Sequence, residues 1–360
     1  MASPNRPVMR TGRGAVSNPE GRFESVRGEA VDDGWGSLDE PLPPLETIVR
    51  PDPARSIISR NQSPDIPFDQ SINPYRGCEH GCIYCYARPS HGYLNLSPGF
   101  DFETRLFYKQ DAAKLLEAEL AAPSYRCSPI TIGANTDPYQ PIEREYRVTR
   151  SIIEVLARHR HPFSIITKSS MIERDVDLLA PLARDNLVLA LVSVTTLSGE
   201  IKRTLEPRTA SPAARLRAIA TLARAGIPVG VMVAPVIPVL TDAEMEKILA
   251  AAAQAGARSA GYVLLRLPYE VKDLFREWLQ AHEPLKAGHV MSRMQAMRGG
   301  RDYDSAWGVR QRGEGEYARL LDMRFKAACK KYGLRTGERF IHNTALFQPP
   351  VIGPEQLTLL

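Results

Sequence analysis

The sequence predicts an α/β protein in which parallel strands form a partial (β/α)6 barrel, with a C-terminal helical extension and a flexible N-terminal tail. Short β-branched runs alternate with amphipathic helical segments from Phe163 onward, at intervals of roughly 25–40 residues, as βαβ units require. Residues 187–194 form a continuous apolar run, which is typical of a parallel strand buried on both faces. With 360 residues, of which 43% are hydrophobic and 24% charged, the chain can build one large globular domain.

Six strands are predicted from β-branched and apolar runs that are bounded by turn residues. They cover residues 71–75, 130–133, 163–167, 187–194, 229–233 and 261–265. In one intervening helix, Ser211 is the expected N-cap, Pro212 the first helical residue and Gly226 the residue after the last turn. The other helices are predicted to begin near Thr149 and near Thr241 or Asp242, and to cover residues 175–184, 270–280, 285–297 and 315–332.

Composition divides the chain into four segments. Residues 1–56 are rich in Gly, Pro, Arg and acidic residues and lack periodicity, which predicts a flexible tail. The barrel core is expected to cover residues 57–268, the C-terminal helical cap residues 269–345, and a second tail residues 346–360.

The composition also predicts a cytoplasmic protein without a membrane partner. No apolar run approaches the ~18 residues that span a bilayer, and the N-terminus lacks the apolar core of a signal peptide. Of the five cysteines, Cys127 and Cys329 stand alone and are predicted to be free thiols.

The other three cysteines, Cys78, Cys82 and Cys85, form a CxxxCxxC motif within residues 73–86. Three thiolates in one loop can hold three irons of a [4Fe–4S] cluster and leave the fourth iron open. The alternative is a zinc site completed by His80 or Cys127, in a non-catalytic zinc-stabilised nucleic-acid-binding protein. Structural zinc sites usually combine two short ligand clusters, and the sequence has no second CxxC or HxxxH.

These cysteines resemble the motif of the radical S-adenosylmethionine (SAM) superfamily. Residues 61–141, including the run from Asn135 to Pro141, are similar to its spore photoproduct lyase-like branch, and the likeness extends from about Ile57 to Leu334. The resemblance implies a radical SAM type of barrel and an enzyme that cleaves SAM reductively to give a 5′-deoxyadenosyl radical. It also implies a [4Fe–4S] cluster, SAM, and a reducing donor such as flavodoxin or ferredoxin. The substrate is unknown, and nucleic acid is one possibility.

The resemblance further implies that SAM contacts lie where the strands end, as active sites do in such barrels. Asn135, Thr136 and Asp137 match the loop that meets the methionyl amino group; the alternative is an Asx turn before Pro138. Lys168 matches a carboxylate partner, with an ordinary exposed lysine as the alternative.

Further candidates follow in the same superfamily pattern. Tyr84 is expected to contact adenine or to shield the cluster from water. Ser193 and Thr195 share one face of a strand and are candidates for ribose contacts, unless they bond to backbone. Glu206 and Arg208 are candidates for a charged SAM contact, or form a simple Glu–Arg surface pair. Arg266 is a weaker candidate on the substrate side.

The sequence differs from the family's pattern at two places. Spore photoproduct lyases carry a hydrogen-donor cysteine just after the second strand, where this chain has Ala134 and Asn135. Repair of the spore lesion by that mechanism is therefore not expected. Residues 230–234 also lack the second glycine of the GxIxG pattern, so adenine contacts there should come from backbone and apolar groups.

A basic strip runs from Arg298 to Arg335, with ten Lys/Arg against five Asp/Glu and with Tyr303, Trp307 and Tyr317 interleaved. Cations that neutralise phosphates and rings that stack bases are what a nucleic-acid surface needs. The alternative, which the helical spacing of Tyr317, Leu321 and Phe325 favours, is the solvated face of a helix.

Overall fold

The computed structural model describes residues 9–23 and 45–351. Within these ranges the strands number β1 to β10: Ile48–Pro51, Ile58–Arg60, Gln70–Ile72, Tyr75–Arg76, Arg105–Tyr108, Ile130–Ile132, Phe163–Thr167, Val188–Ser193, Val229–Val236 and Ser259–Leu264. The α-helices number α1 to α12: Phe100–Thr104, Ala112–Leu120, Glu143–Tyr146, Val148–Arg158, Val176–Ala183, Gly199–Leu205, Pro212–Arg224, Met245–Gln254, Val271–His282, Pro284–Ala296, Val309–Arg312 and Gly315–Tyr332. None of the helices in these ranges combines the length and the apolar character needed to cross a bilayer.

The main sheet confirms the predicted α/β class. Its order is β10-β9-β8-β7-β6-β3-β2, and β3 and β6 to β10 are parallel neighbours in chain order. Strand β2 pairs antiparallel with β3 at the edge. The predicted strand at residues 71–75 is divided, because the chain turns at Asn73 and Pro74 and β4 joins β5 and β1 in a separate three-stranded sheet.

The core lies between the main sheet and the helices that cross over it. On β7 and β8 the side chains of Phe163, Ile165, Val188, Ala190 and Val192 are completely buried. These residues alternate along each strand and so share one face, whereas Leu189 and Leu191 on the other face of β8 are half-buried. The second face of β8 is therefore covered less completely than the continuous apolar run predicted. Because these strands are parallel, the loops that follow them lie at the same end of the sheet.

The open seam between β10 and β2 is bridged by α11 and the loop before it. Arg310 forms an ion pair with Asp65 and donates to the Ser63 hydroxyl, and Gly308 N donates to Asp65 Oδ1 at 2.7 Å. Asp65 and Ser63 lie in the connection between β2 and β3. On the other side, the Arg312 guanidinium lies 4.4 Å from the centre of the Tyr262 ring in β10.

The C-terminal helices lie beside the barrel. Helices α9, α10 and α12 match the three predicted helices closely. Helix α12 packs against α8, where Arg324 pairs with Glu246 at 2.7 Å and Tyr317 donates to Asp242. The domain boundaries at residues 56, 268 and 345 stay predictions.

Residues 9–23 belong to the segment that the sequence predicts to be a flexible tail, and here they pack against the barrel. Ala15 and Val16 are each 1% exposed, and Arg13 donates to Glu103 O at 3.1 Å. Local composition missed this segment because its partners lie about 90 residues away. The remainder of residues 1–44 and the end of the C-terminal tail lie outside the described residues.

The amino ends of the strands are covered by a network around His161. The His161 ring is fully buried; its Nε2 lies 2.7 Å from Tyr125 Oη and its Nδ1 lies 2.9 Å from Pro162 O. Phe347 packs edge-on against the His161 ring. Burial lowers the pKa of His161 to about 4, with His159 and His342 adding to the effect.

Protonation of His161 is expected to destabilise the fold as the pH falls from about 6.5 to about 4. The unfolded chain binds this proton at higher pH than the folded chain does, so this contribution to stability is complete above pH 6.5 and is lost through the window. Melting temperatures measured across that window should fall less steeply in His161→Gln. His289→Gln, at an exposed position, should retain the wild-type profile. An unchanged slope in His161→Gln would contradict the assignment.

Candidate active site

The three motif cysteines lie in one loop between β4 and a 3₁₀ helix at Arg88–Leu94. Cys78 and Cys82 are buried and Cys85 is half-buried, and all three are free thiols. Burial raises the pKa of each thiol. The neighbouring motif cysteines raise the pKa values of Cys78 and Cys82 further. Three free thiols therefore lie together in the loop that follows β4.

Three free thiols in one loop match the donor set that a [4Fe–4S] cluster takes. Among the described residues, no group of three or more His, Cys, Asp or Glu side chains is placed to hold one metal ion. A zinc ion would need its sulfurs gathered about 2.3 Å from one point. A cubane takes one thiolate at each of three separate irons. Lys168 lies near enough to lower the pKa of both Cys82 and Cys85, against the larger effect of burial, so a positive charge favours their thiolates.

A buried ion pair between Arg88 and Glu103 supports the backbone of the cysteine loop. Arg88 donates to the carbonyls of Gly81 at 3.2 Å and Cys82 at 3.0 Å, and pairs with Glu103 at 2.6 Å. Both charged side chains are completely buried. Gly81 adopts φ +67°, which a side chain would disfavour. The loop conformation is thus fixed through its own carbonyl groups.

Three polar side chains connect the loop after β6 to residues 73–79, which lead into the cysteine loop. Asn73 Oδ1 accepts from the amide of Asn135 at 2.8 Å, and the Thr136 hydroxyl donates to Tyr75 O at 2.8 Å. Gln140 Oε1 accepts from Glu79 N at 2.8 Å. The Thr136 hydroxyl is therefore engaged in holding the loops together, and the Asn135 side chain is half-buried beside them.

Asp137 is half-buried, and hydrogen-bond donors face both of its carboxylate oxygens. Its Oδ1 accepts from Thr167 Oγ1 at 2.7 Å and from Tyr139 N at 2.9 Å, the second being the bond of an Asx turn. Its Oδ2 accepts from Lys168 N at 2.7 Å and lies 3.4 Å from His80 Nδ1. Burial opposes ionisation, but His80 and these hydrogen bonds outweigh it and lower the pKa of Asp137 to about 2.

Lys168 follows β7 at the same end of the sheet. Its ammonium lies 5.9 Å from the centre of the Tyr84 ring, and its charge helps to lower the pKa of Glu206. No described carboxylate lies within salt-bridge distance of Lys168 Nζ, although the side chain is half-buried. A cation in this position can receive an anionic group from a ligand.

Glu206 is completely buried at the centre of a second network. It accepts from Tyr84 Oη, from Thr195 Oγ1 at 2.7 Å and from Arg215, with which it forms an ion pair. Burial opposes ionisation of this carboxyl, but Arg215, Lys168 and the two hydroxyls together lower its pKa to about 2. Tyr84 and Thr195, two of the predicted cofactor contacts, are therefore brought together by one carboxylate.

The remaining predicted site residues, Ser193 and Arg208, are held by Arg215 and by the cysteine loop respectively. Ser193 is buried on β8, and its carbonyl accepts from Arg215 at 3.0 Å. Arg208 pairs with Glu79 at 2.8 Å, while Glu206 pairs with Arg215. The alternative of a Glu206–Arg208 surface pair is therefore wrong, because each residue has a different partner.

The basic strip is largely engaged within the fold. Arg310, Arg312 and Arg324 pair with Asp65, Asp322 and Glu246. Tyr317 lies under Arg293 and donates to Asp242, so it packs rather than projects. These contacts favour the solvated helix face over a continuous nucleic-acid surface.

Arg215 and Arg88 are site residues that the sequence analysis missed. Arg215 lies on the inward stripe of α7 with Pro212, Ile219 and Leu222. An arginine at a core position of an amphipathic helix needs a buried partner, and this was the available signal. Arg88 gave no comparable signal, because its helix is a short 3₁₀ segment without periodicity.

A family model described as the radical SAM superfamily matches residues 72–252, about half of the chain. An uncharacterized protein of Mycobacterium tuberculosis is 40% identical over 221 residues, which are 61% of this chain and 65% of that protein. The chain thus spans just under two thirds of that relative. An uncharacterized protein of Methanocaldococcus jannaschii is 30% identical over 48% of this chain and 62% of its own length.

Solved structures give a matching fold. A spore photoproduct lyase variant with dinucleoside spore photoproduct superposes with a TM-score of 0.56 at 16% identity, covering 79% of this chain and 80% of that one. A variant of the same enzyme with bound AdoMet and the dinucleoside gives a TM-score of 0.54 at 15% identity over the same shares. At this identity the likeness concerns the fold.

Proposed function

Because this chain belongs to the radical SAM superfamily, whose members use a [4Fe–4S] cluster and SAM, we propose that Cys78, Cys82 and Cys85 hold that cluster here. The observation that carries the proposal is the set of three free thiols, two of them buried, in one loop at the carboxyl end of the barrel strands. The cluster, when bound, supplies the electron that cleaves SAM and generates the 5′-deoxyadenosyl radical. Substrate and final reaction are proposals beyond this step.

The protein's own part is placement and exclusion of water. Lys168 offers a positive charge to the SAM carboxylate. Asn135 and the carbonyls of its loop offer acceptors to the SAM ammonium, while Asp137 fixes the loop and adds negative charge. Tyr84 stands between Lys168 and Glu206 and screens the sulfurs from water. Ser193, Thr195, Glu206 and Arg208 are proposed to line the nucleoside end of the site.

Replacing Lys168 by alanine is expected to weaken SAM binding about 10- to 100-fold, since a hydrogen bond to a charged group contributes roughly 1.5–3 kcal/mol. Equilibrium dialysis with the cluster-loaded protein would measure the dissociation constant. Lys168→Arg keeps the charge and should recover most of the affinity. Equal affinity in the alanine variant and the wild type would exclude Lys168 from the site.

A nucleic acid is the substrate class that the surface beside the cysteine loop supports. Tyr86 is 43% exposed next to Cys85, and the Arg266 guanidinium lies 5.0 Å from the centre of its ring. Tyr269 is 64% exposed, with Arg22 at 3.9 Å from its ring centre. Exposed rings paired with arginines can stack bases and neutralise phosphates. A substrate peptide or small molecule is the competing class.

Radical SAM enzymes need a reductant, and flavodoxin or ferredoxin is the proposed donor. Cytoplasmic location remains a prediction from composition.

Anaerobic reconstitution with iron and sulfide, followed by SAM and dithionite, tests the proposed function. We expect about four irons per chain and the formation of 5′-deoxyadenosine. Recovery of tightly bound zinc without any deoxyadenosine would support the zinc alternative instead.

Binding to single-stranded DNA or RNA that weakens with salt, and weakens again in Arg266→Ala, would support the nucleic-acid class. Salt-independent or absent binding would favour a peptide or small molecule.

A further inference from the structure

The N-terminal residues 13–17, here called the strap, lie directly against the cysteine loop. All five strap residues are buried, and Ala15 and Val16 are each 1% exposed. The strap is separated from the cysteine loop by more than 60 residues of sequence, so its contacts with that loop are tertiary. A segment buried to this degree contributes to the packing of whatever it covers.

Hydrogen bonds connect the strap to the loop through Glu103. The amide of Gly14 donates to Glu103 Oε2 at 3.0 Å, and the amide of Ala15 donates to Oε1 at 2.8 Å. Arg88 donates to the same Oε1 at 2.6 Å and to the carbonyls of Gly81 and Cys82. One buried carboxylate therefore joins the strap to the guanidinium that holds the cysteine loop.

Gly14 also contacts the cysteine loop without an intermediary. A Cβ atom added at Gly14 would lie 1.8 Å from Gly81 O and 3.0 Å from the Gly81 carbonyl carbon. Both atoms are backbone, and Gly81 O is already bonded to Arg88. A side chain at position 14 can therefore be admitted only if the cysteine loop or the strap moves.

The far end of the strap is fastened across the barrel mouth. Ser17 donates to Glu277 in α9, the helix that follows β10. Beyond the strap, Arg22 pairs with Glu270 at 2.7 Å. The strap thus runs from the loop that follows β3 to the helix that follows β10, which are the two edges of the parallel array.

We infer that the strap is a positioning element for the cysteine loop: it fixes the loop's backbone through Gly14 and Glu103, and it shields Cys78 and Cys82 from solvent. Its effect on a cluster rests on the proposed function, whereas its effect on the thiols does not. The strap residues touch no reacting group and act through the loop.

Alkylation of the metal-free protein by iodoacetamide tests the inference. In Gly14→Ala we expect Cys78 and Cys82 to react at least about tenfold faster than in wild type, because the strap no longer closes over them. Cys329, which is 1% exposed on α12, is the internal control and should not change. Gly288→Ala is the matched control, since a Cβ there meets no atom within 4 Å. Wild-type rates at Cys78 and Cys82 in Gly14→Ala would overturn the inference.

Should Cys329 react faster as well, Gly14→Ala has lost its fold and Ser17→Ala decides. That change removes only the bond to Glu277, and selective acceleration at Cys78 and Cys82 is expected; unchanged rates overturn the inference. In the reconstituted protein, Gly14→Ala should lose its cluster absorbance in air several-fold faster than Gly288→Ala. A wild-type protein that takes up no iron refutes the proposed function and leaves the thiol result standing.

Discussion

Replacing Cys78, Cys82 and Cys85 together by alanine is expected to reduce bound iron and 5′-deoxyadenosine formation to background. The three thiols are the soft ligands of the loop, and neighbouring polar groups such as Asp137 and Glu206 are already saturated by internal hydrogen bonds. Among the described residues, these two carboxylates are therefore poorly placed to replace the thiols. Iron determination and chromatography of the nucleoside products would measure both quantities after anaerobic reconstitution.

Cys127 and Cys329 supply the matched controls for this experiment. Both are free thiols, half-buried and buried respectively, and both lie outside the cysteine loop. Alanine at these positions should leave iron content and nucleoside formation at the wild-type level. Retention of iron by the triple variant, or its loss in either control, would disprove the assignment of the three ligands.

Replacing Arg215 by methionine is expected to lower the free energy of unfolding by about 3–5 kcal/mol. Arg215 and Glu206 are 1% and 0% exposed, so the change leaves a carboxylate buried without its cation. Arg215 also donates to the carbonyls of Ala210 and Ser193, which would lose their partner. Urea unfolding followed by circular dichroism would give the free energy.

The double variant Arg215→Met with Glu206→Leu distinguishes the ion pair from simple packing. Removing both charges should cost less than removing Arg215 alone, because no uncompensated carboxylate remains. Arg158→Met serves as the exposed comparison; Arg158 and its partner Glu117 are 61% and 39% exposed, and the loss should be smaller. Additive losses in the double variant would show that the Glu206–Arg215 pair has no coupling.

The sequence alone predicted the parallel strands because each carries a local signal of β-branched, apolar residues between turns. Strand β8 was recognised from its run of apolar residues and lies within one residue of its predicted ends. The three-stranded sheet was not predicted, since Ile48 pairs with Arg105 across 57 residues and neither strand exceeds four residues. Such pairing depends on tertiary contacts that short patterns do not encode.

The candidate site likewise contains residues that the sequence predicted and residues that it did not. Spacing and resemblance indicated the cysteines, Lys168 and the loop at Asn135, because these residues follow strands in short motifs. The partners that fix them, Arg88 and Arg215, come from helices and act across 15 and 9 residues on Glu103 and Glu206. Predicting glutamate–arginine pairs of this kind requires knowing which face of the helix is buried.

The seam between β2 and β10 is held by side-chain contacts from α11 and the loop before it. Among the described residues, its two edges are joined by an arginine clamp on one aspartate, a neighbouring backbone amide and a guanidinium stacked on tyrosine, in place of a ladder of strand hydrogen bonds. Separating the two edges of this seam breaks a few side-chain contacts, whereas separating two paired strands would break a whole row of backbone hydrogen bonds. The six parallel strands β3 and β6 to β10 would stay paired if this seam opened.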